Sequence, residues 1–544
     1  MVNVAIKSQV EILNQVQNTQ SERILAAIDM GTNSLHMVIA RILPSLPGFT
    51  IIGREKETVR LGDRTPDGNL KFEVMHRAIA TLKRFQEIAK TLNADQIIAV
   101  ATSAVRESPN GRDFLQDIER ELKLSVDLIS GQEEARRIYL GVLSGMDFNN
   151  LPHIIIDIGG GSTELILGDG HEPRSLNSTK IGAVRLTSEF VKTDPITNSE
   201  FQYLQAYIRG MLERSIDEIK ASIQPGEKPR FVGTSGTIET IASIYARDHL
   251  KTIPSTLNGY QIPLTYLQNL IHRLRKLNNS DRAAIPGMND RRSEIILAGA
   301  LILQEAMIML NMESAIICER SLREGIIVDW MIMHGLIEDK LRYQSSVRER
   351  STLNAAHKFQ VNLEHSERVA KFALSLFDQT SGILHKWSST ERELLWTSAI
   401  LHNCGHHVSH SSHHKHSYYL IRNSELLGYT ESEIDIIANI ARYHRRSSPK
   451  KKHENYKNLP PSERKIISEL SGILRLAVAL DRRQIGALQD VKCNYKPNTK
   501  ELHLLLEPTE SDDNCELELW SLDYKKDLFE TEFAVKIFAK LQHH

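Results

Sequence analysis

The chain has 544 residues, which is too long for a single hydrophobic core. Of these residues, 41% are hydrophobic and 25% are charged, which is an ordinary composition for a soluble protein. Its 67 Lys and Arg residues nearly balance its 68 Asp and Glu residues, so the whole molecule has no bulk attraction for nucleic acid or an anionic membrane. The four cysteines lack CxxC or zinc-site spacing, and no run of about 18 apolar residues occurs, which argues against a disulfide framework and a membrane span. We therefore expect a cytoplasmic protein of several domains, without nucleic-acid or membrane partners.

Hydrophobic periodicity changes along the chain. Residues 1–22 form a polar extension without the order of a secretory signal. From residue 24 to about 330, short β-branched segments alternate with helical ones, which indicates an α/β region, and from about 340 to 487 the pattern is almost purely helical. Near the end, segments 501–508 and 515–522 predict a hairpin, followed by a helix over 528–542. The predicted division is 1–22, 23–145, 146–338, 339–487 and 488–544.

One internal repeat organises the α/β region. The segment AAIDMGTNSLHMVIA at 26–40 aligns without gaps with IIIDIGGGSTELILG at 154–168. In both copies an apolar strand ends in Asp, a turn with Gly and Ser follows, and a second apolar strand begins. Asp29, Gly31 and Ser34 correspond to Asp157, Gly159 and Ser162. A duplicated strand-turn-strand predicts two related lobes that each present a tight turn to a shared cleft.

The residue types in these turns suit phosphate. Glycine brings backbone N–H groups close to a ligand, and successive N–H groups form a nest for an anion. The aspartate that ends each first strand can position Mg²⁺, and Glu164 adds a second oxygen ligand. The turn is not a Walker A loop, because GK[ST] is absent, and not a dinucleotide fingerprint, because a strand follows it. The alternative is a glycine turn whose aspartate only caps the backbone, and the presence of two copies disfavours it.

Three further segments carry candidate residues. The segment at 231–242, FVGTSGTIETIA, places Gly, Thr and Ser before a helix, whose N terminus favours anions. SGQEEAR at 130–136 opens a helix with Glu133 and Glu134, where one glutamate can stabilise the helix start and the other can face the cleft as a general base. Arg106, in VATSAVRE, is either a phosphate clamp or a surface arginine.

Taken together, the segments IDIGGGSTEL, SGQEEAR, GTSGTIE and LREGI resemble the Ppx/GppA phosphatases, which comprise exopolyphosphatases and guanosine pentaphosphate phosphohydrolases. The resemblance continues through NLEHSERVAKFAL and RYHRR to past residue 480. A chain of this length with a helical C-terminal half is most similar to the enterobacterial type of exopolyphosphatase. It implies an α/β fold with a duplicated actin-like arrangement of two lobes, the ASKHA or ribonuclease H-like architecture. An all-α HD-like domain and a small α/β C-terminal domain follow.

The resemblance also implies a role for each matching residue. Glu134 is the general base that activates the attacking water, and Asp157 and Glu164 position Mg²⁺. The implied phosphate-binding residues are Asp29, Asn33, Ser34, Arg106, Gly159, Gly160, Gly161, Ser162, Thr163, Gly233, Ser235 and Gly236. The implied reaction releases orthophosphate from the end of inorganic polyphosphate, in a homodimer stimulated by K⁺.

Other functions stay open at this point. The same fold and mechanism can act on the 5′ phosphate of pppGpp, and no single residue excludes that substrate. A nucleotide-binding scaffold or sensor like actin is a different class, which the Glu-rich SGQEEAR segment disfavours. A third possibility is phosphoester hydrolysis in the helical region.

The helical region is rich in histidine. Seven histidines fall between His402 and His416, with His365 upstream and His444 downstream, a spacing similar to HD-type metal phosphohydrolases. The expected His-Asp pair is His402-Asn403 here, and the missing carboxylate removes a ligand that a bridged metal pair needs. We therefore expect a degenerate HD-like domain without catalysis, with a mononuclear histidine site as the alternative.

A basic segment follows these histidines. Residues 442–453 contain six Lys and Arg residues and no acid. Such a run is usually a solvated face, but in a phosphatase for a long polyanion it can guide the chain toward the cleft in a salt-sensitive manner. The residues assigned to polyphosphate guidance are Arg445, Arg446, Lys450, Lys451 and Lys452.

Overall fold

The computed structural model describes residues 22–542 except 44–47, 172, 251–252, 255, 338–346, 425, 427–428, 430 and 458. The chain divides into two compact units, residues 1–347 and 348–544. The predicted extension 1–22 lies outside the described residues except for residue 22. The finer predicted division into domains 23–145, 146–338, 339–487 and 488–544 stays a prediction.

The first unit alternates strands and helices, as the periodicity predicts. Its strands are β1 (Arg23–Met30), β2 (Ser34–Leu43), β3 (Gly48–Thr58), β4 (Gln96–Ala101), β5 (Val126–Leu128), β6 (His153–Ile158), β7 (Thr163–Gly168), β8 (Ser175–Thr179), β9 (Arg230–Thr234), β10 (Gln261–Pro263) and β11 (Ser314–Ile317). Its helices are α1 (Phe72–Thr91), α2 (Ser103–Arg106), α3 (Gly111–Leu122), α4 (Gly131–Leu143), α5 (Ala183–Phe190), α6 (Asn198–Ser222), α7 (Gly236–Leu250), α8 (Leu264–Leu274), α9 (Asn279–Ala283), α10 (Ile296–Met309) and α11 (Leu322–Met333), with a 3-10 turn at Asp290–Arg292.

The two sheets of this unit repeat one topology. The first has the order β3-β2-β1-β4-β5, and the second has the order β8-β7-β6-β9-β11-β10. In each, the first three strands in chain order pair antiparallel, and the next two join in parallel. Strand β10 is an additional antiparallel edge strand. This arrangement confirms the internal repeat and the duplicated α/β fold with mixed sheets.

Helices α4 and α11 approach each other closely, because glycines face each other where they cross. A Cβ added at Gly325 would stand 1.7 Å from the carbonyl oxygen of Arg137, and one at Gly141 would stand 1.9 Å from that of Ser321. Only glycine fits at such contacts without moving a backbone. The helix that begins with SGQEEAR is therefore set directly against the helix that begins with LREGI.

The second unit is helical and ends in a small sheet. Its helices are α12 (Val347–Lys358, whose first residue belongs to the first unit), α13 (Leu363–Thr380), α14 (Ser389–Leu401), α15 (His413–Arg422), α16 (Glu431–Arg442), α17 (Glu454–Lys457), α18 (Pro461–Leu480), α19 (Glu516–Lys525) and α20 (Asp527–Phe533), with a 3-10 turn at Cys404–His407. Its strands are β12 (Leu488–Lys496), β13 (Glu501–Pro508) and β14 (Lys536–Leu541). The inward side chains of β13 belong to the same core as the helices.

The predicted C-terminal hairpin is wrong. Strand β13 pairs antiparallel with β12 and parallel with β14, while segment 515–522 lies mostly in helix α19. The predicted helix over 528–542 divides into α20 and β14, with Ala534 in a left-handed conformation between them. The letters CELELWSL alternate as in a strand, but the buried residues Glu518, Ser521 and Leu522 follow a helical spacing.

Two exclusions from composition can be compared with the structure. All four cysteines are free thiols. Among the residues that the structure describes, no helix is long and apolar enough to cross a bilayer. The predicted helical region is confirmed by α12 to α18, whereas its assignment to the HD type is not.

Candidate active site

The two turns of the repeat face one cavity of about 130 Å³ in the first unit. Most of the predicted site residues line it: Asp29, Asn33, Ser34, Glu134, Asp157, Gly159, Gly160, Ser162, Glu164, Ser235 and Gly236. They come from the ends of β1 and β6, from the starts of β2, β7, α4 and α7, and from the turns between them. The duplicated topology therefore brings together residues that are far apart in the chain.

The turns of the repeat have the same geometry. The N–H of Gly31 donates to the carbonyl of Ser34 at 3.2 Å, and the N–H of Gly159 donates to that of Ser162 at 3.0 Å. The turns also touch each other, since a Cβ added at Gly161 would stand 2.7 Å from the hydroxyl of Thr32. A side chain at Gly161 would therefore collide with the first turn.

The adjacent glutamates of SGQEEAR face different sides of α4, as predicted. Ser130 caps the helix by accepting from the N–H of Glu133 at 3.1 Å. The Glu133 carboxylate is held by Arg136 and Arg137 outside the cavity. Glu134 instead lines the cavity and is 7% exposed. Of the two, only Glu134 is placed to meet a ligand in the cavity.

Arg106 contacts Glu134 and does not line the cavity. Its Nη1 donates to the carbonyl of Ile129 at 2.7 Å and to the Glu134 carboxylate at 3.2 Å. The guanidinium fixes the orientation of Glu134, and its charge opposes the rise in the pKa of that carboxyl. The predicted contact with phosphate stays a prediction.

Four carboxyl groups share the cavity. Burial raises the pKa of Glu134 to about 8, that of Asp29 to about 7 and that of Asp157 to about 6. Burial also raises the pKa of Glu164 well above its usual range, and the charges of Glu134 and Asp157 add to the effect. Burial therefore favours the neutral form of these carboxyl groups unless a cation joins them.

The hydrogen bonds of these carboxylates are incomplete. Asp157 accepts from the hydroxyl of Ser321, and Glu164 accepts from that of Ser178 at 2.8 Å. Oδ1 of Asp29 is buried and has no hydrogen-bond partner among the described residues. An unpartnered carboxylate oxygen that faces a cavity is a position for an additional cation or donor.

Two arginines of the cavity were not predicted. Arg292 comes from the 3-10 turn and Arg323 from the start of α11, and both line the cavity. Nη1 of Arg323 lies 3.4 Å from Nδ1 of His36, whose pKa burial lowers well below its ordinary value, so that the imidazole is a neutral acceptor. Arg323 lies within LREGI, which carried no assigned role, and nothing in the local sequence distinguishes Arg292 from its exposed neighbour Arg291.

Three other predicted phosphate ligands have structural contacts and do not line the cavity. The hydroxyl of Thr163 donates to the carbonyl of Ile181 at 2.7 Å, and the carbonyl of Gly161 accepts from Arg185 at 2.9 Å. Gly233 lies within β9, where its carbonyl accepts from the N–H of Cys318 at 3.0 Å. These residues shape the turns around the cavity.

The predicted guidance residues lie in the second unit. Lys450, Lys451, Lys452 and Arg446 are exposed, whereas Arg445 is half-buried and donates to His413 at 3.1 Å. His365, His402 and His444 are buried in this unit. Within the described parts of the chain, no group of three His, Cys, Asp or Glu side chains converges as a preformed metal site would.

Comparisons with known proteins indicate one family for this chain. The model of the Ppx/GppA phosphatase family matches residues 38–334, and that of Ppx/GppA phosphatase domain III matches residues 347–526. A guanosine-5'-triphosphate,3'-diphosphate pyrophosphatase of Pseudoalteromonas atlantica is 30% identical over 466 residues, covering 85% of this chain and 87% of its own.

Solved structures are similar over somewhat more than half of the chain. An exopolyphosphatase from Cytophaga hutchinsonii is 27% identical, with a TM-score of 0.53 over 57% of this chain and 98% of its own. A Ppx/GppA family member from Aquifex aeolicus is 26% identical, with a TM-score of 0.49 over 58% of this chain and 99% of its own. On the family match and the long alignment with the Pseudoalteromonas protein, the chain belongs to the Ppx/GppA phosphatase family, whose enzymes hydrolyse phosphoanhydride bonds.

Proposed function

We propose that this protein is an exopolyphosphatase that releases orthophosphate from the end of inorganic polyphosphate. The observation that carries the proposal is the pair of glycine turns that meet at a cavity lined by four carboxylates and two arginines. The turns offer backbone N–H groups to a terminal phosphate, and Arg292 and Arg323 bring positive charge to the same space. Such an arrangement favours positioning and charge neutralisation, on which phosphoryl transfer depends.

Glu134 is the residue that we assign as general base. It lies at the N-terminal end of α4, lines the cavity and is oriented by Arg106. In the proposed step its carboxylate accepts a proton from water as the water oxygen attacks the terminal phosphorus. The bond from phosphorus to the bridging oxygen breaks, and the shortened chain leaves with that oxygen. The turns hold the departing and remaining phosphates in line.

The residues present fit a magnesium ion. Asp157 and Glu164 would hold it, and Asp29, whose Oδ1 lacks a partner, faces the same cavity. Mg²⁺ is usually bound by one or two carboxylates together with substrate phosphates, which agrees with a site that is not preformed by protein ligands alone. When bound, Mg²⁺ neutralises charge on the phosphate oxygens. With such an ion bound to Asp157 and Glu164, the Glu134 carboxyl would ionise at a lower pH and could accept a proton near neutrality.

A pppGpp phosphohydrolase is the second candidate, and the name of the Pseudoalteromonas relative favours it. The cavity itself favours the simpler substrate. Its volume is about 130 Å³, and among the residues that the structure describes no Phe, Tyr or Trp side chain lines it to stack on a guanine. A nucleotide base would have to bind outside this cavity.

Further parts of the proposal concern the whole protein. We place it in the cytoplasm as a homodimer stimulated by K⁺, with an HD-like second unit that has no catalytic role. The basic residues Arg445, Arg446, Lys450, Lys451 and Lys452 are proposed to contact long polyphosphate.

The substrate assignment is tested by phosphate release from purified protein given long polyphosphate, short polyphosphate, pppGpp and ATP in parallel. We expect kcat/KM for polyphosphate to exceed that for pppGpp by about tenfold or more. A higher kcat/KM for pppGpp would transfer the assignment to the second candidate. The absence of phosphate release from all four substrates would contradict both.

A further inference from the structure

The glycine turn between β6 and β7 is held on one side by the start of helix α5. The carbonyl of Gly160 accepts from the N–H groups of Val184 and Arg185, both at 3.0 Å. The carbonyl of Gly161 accepts from Nε of Arg185 at 2.9 Å. Val184 and Arg185 lie outside the lining of the cavity, whereas Gly160 and Ser162 belong to it. Both carbonyls therefore point away from the space in which we place the phosphate.

The direction of a carbonyl fixes the direction of the N–H in the same peptide. In a planar trans peptide, the C=O and the N–H point to opposite sides. The carbonyl of Gly161 and the N–H of Ser162 belong to one peptide, so the bond from Arg185 turns this N–H toward the cavity. Among the described residues, the N–H of Ser162 has no hydrogen-bond acceptor. It is therefore available to an oxygen of a ligand.

The first turn of the repeat has the same arrangement with a different donor. Asn33 corresponds to Gly161, and its carbonyl accepts from the N–H groups of Val59 at 3.2 Å and Arg60 at 2.9 Å. In both turns the donors come from the segment that follows the third strand of the sheet, β3 or β8. Backbone groups hold this peptide in the first turn, whereas the Arg185 side chain holds it in the second. A substitution can therefore release the second peptide while the backbone contacts of its turn remain.

Arg185 is itself fixed by an ion pair. Its Nη2 donates to the carboxylate of Glu107, and the two side chains are only 20% and 11% exposed. Nη1 of Arg64 lies 4.0 Å from the same carboxylate. A guanidinium has separate N–H groups in a rigid plane, so it can hold a carboxylate and a carbonyl at once. The ion pair thus keeps Nε of Arg185 directed at the Gly161 carbonyl.

We propose that Arg185 is a positioning residue that directs the N–H of Ser162 at the terminal phosphate. Arg185 does not line the cavity, so it acts through the Gly161–Ser162 peptide and not by contact with the ligand. An N–H that already points at the phosphate stabilises the charge of the transition state without reorganisation. The inference rests on the proposed function in placing a terminal phosphate in this cavity, and it applies equally to polyphosphate and pppGpp.

One amide signal reports this peptide alone. Gly161–Ser162 is the only Gly-Ser pair in the sequence. Full-length protein with ¹³C at the glycine carbonyls and ¹⁵N in serine therefore gives a single carbonyl–amide correlation. Cell-free synthesis in deuterated form prevents exchange of label between the two amino acids. Glu134→Gln serves as the parent so that tripolyphosphate, the probe, is not hydrolysed during the measurement.

The parent and two variants at Arg185 are compared at saturating tripolyphosphate in the presence of Mg²⁺. In the parent, the amide proton of Ser162 should move downfield, because its N–H donates to a phosphate oxygen. Arg185→Met should abolish this shift and raise the Kd for tripolyphosphate, measured by equilibrium dialysis, about tenfold. Arg185→Lys keeps the charge, but its ammonium binds the Glu107 carboxylate in preference to a neutral carbonyl, so the shift should be lost here as well.

Arg174→Met is the matched control. Arg174 is 23% exposed and binds two carboxylates, that of Asp169 at 2.6 Å and that of Glu227 at 2.8 Å, outside the lining of the cavity. Its replacement removes a comparable set of ion pairs and should leave both the Ser162 shift and the Kd unchanged. Equal effects of Arg174→Met and Arg185→Met on the signal and the Kd would assign Arg185 a structural role and contradict the proposal.

The failure of this inference differs from the failure of the proposed function. A Ser162 shift that persists in Arg185→Met or Arg185→Lys would overturn the inference, and so would binding of tripolyphosphate to the parent without any shift. If the parent bound no tripolyphosphate, the proposed function would fail together with the inference.

Discussion

Residues of the same type have different contacts in this protein, depending on where the fold places them. Glu133 and Glu134 are adjacent in the chain, yet one binds two arginines outside the cavity and the other lines it. The helical period made this separation predictable, because neighbours on a helix point in different directions. Arg292 and Arg323 were not predictable in the same way, since only the folded chain brings them to the cavity.

Replacement of Arg106 by Met tests whether this residue acts through Glu134. Loss of the guanidinium removes a charge that lowers the pKa of Glu134, so this pKa should rise further. A base must be ionised to accept a proton, so the acidic limb of the pH profile of kcat/KM should move to higher pH by about one unit. Arg112→Met, on helix α3, is the control and should leave the profile unchanged. A rise in KM with an unshifted profile would instead favour the phosphate clamp.

Secondary-structure elements hold these residues in place through close contacts. Gly141 and Gly325 let α4 and α11 meet backbone to backbone, so that Glu134 and Arg323 keep a fixed separation. The repeat made both glycine turns and their strands predictable from the sequence. The C-terminal elements were mispredicted because alternating letters in α19 imitate a strand, whereas the packing of Glu518 and Leu522 decides in favour of a helix.

Gly325→Ala should damage both stability and activity. Its Cβ would stand 1.7 Å from the Arg137 carbonyl, so α4 and α11 must separate, at a cost of about 1–3 kcal/mol in the free energy of unfolding. Phosphate release should fall as well, because Glu134 moves away from the turns. Urea unfolding and the phosphate assay measure the two effects.

Gly210→Ala is the matched control, since nothing lies within 4 Å of a Cβ at this position of α6. Alanine has the higher helix propensity, so this variant should be more stable by up to about 1 kcal/mol at full activity. If Gly325→Ala behaved like Gly210→Ala, the glycine contact would not hold the two helices together.

The chain consists of two compact units, and the groups with shifted pKa values differ between them: carboxyl groups in the cavity of the first unit and histidines in the second. In the second unit, burial lowers the pKa of His402 and His413 from 6.5 to about 3, and that of His444 well below 6.5. Lys525, Arg445 and His365 face these rings and oppose their protonation further. The sequence indicated a histidine-rich helical region but could not show which rings are buried and neutral.

Acid should therefore destabilise the second unit. The pKa of each ring is lower in the folded state, so the unfolded chain binds protons at a higher pH than the folded chain does. The contribution of the neutral rings to stability is therefore fully present above pH 6.5 and declines as the pH falls toward 3. In phosphate-free buffer, the free energy of unfolding should decrease between pH 7.5 and pH 5. Urea unfolding of a Trp330→Phe variant monitors the three remaining tryptophans, all in residues 348–544. His402→Phe should reduce the slope of the free energy of unfolding against pH by the equivalent of about one proton. A free energy of unfolding that did not change with pH would contradict the assignment of these histidines as buried and neutral.

Contacts with long polyphosphate are tested by replacing Lys450, Lys451 and Lys452 with Gln together. These side chains are exposed, so folding should be unaffected. We expect KM for long polyphosphate to rise and its salt dependence to weaken, with little change for short chains. Equal effects on long and short chains would refute the guidance role.

The most direct measurement compares phosphate release from polyphosphate by the wild type, Glu133→Gln and Glu134→Gln, with circular dichroism to verify folding. Glu134 lines the cavity and Glu133 does not, so Glu134→Gln should lower kcat by about 10²–10⁴-fold, while Glu133→Gln keeps most of the activity. A folded Glu134→Gln variant with the wild-type rate would contradict the assignment of Glu134 as the base, and with it the proposed mechanism.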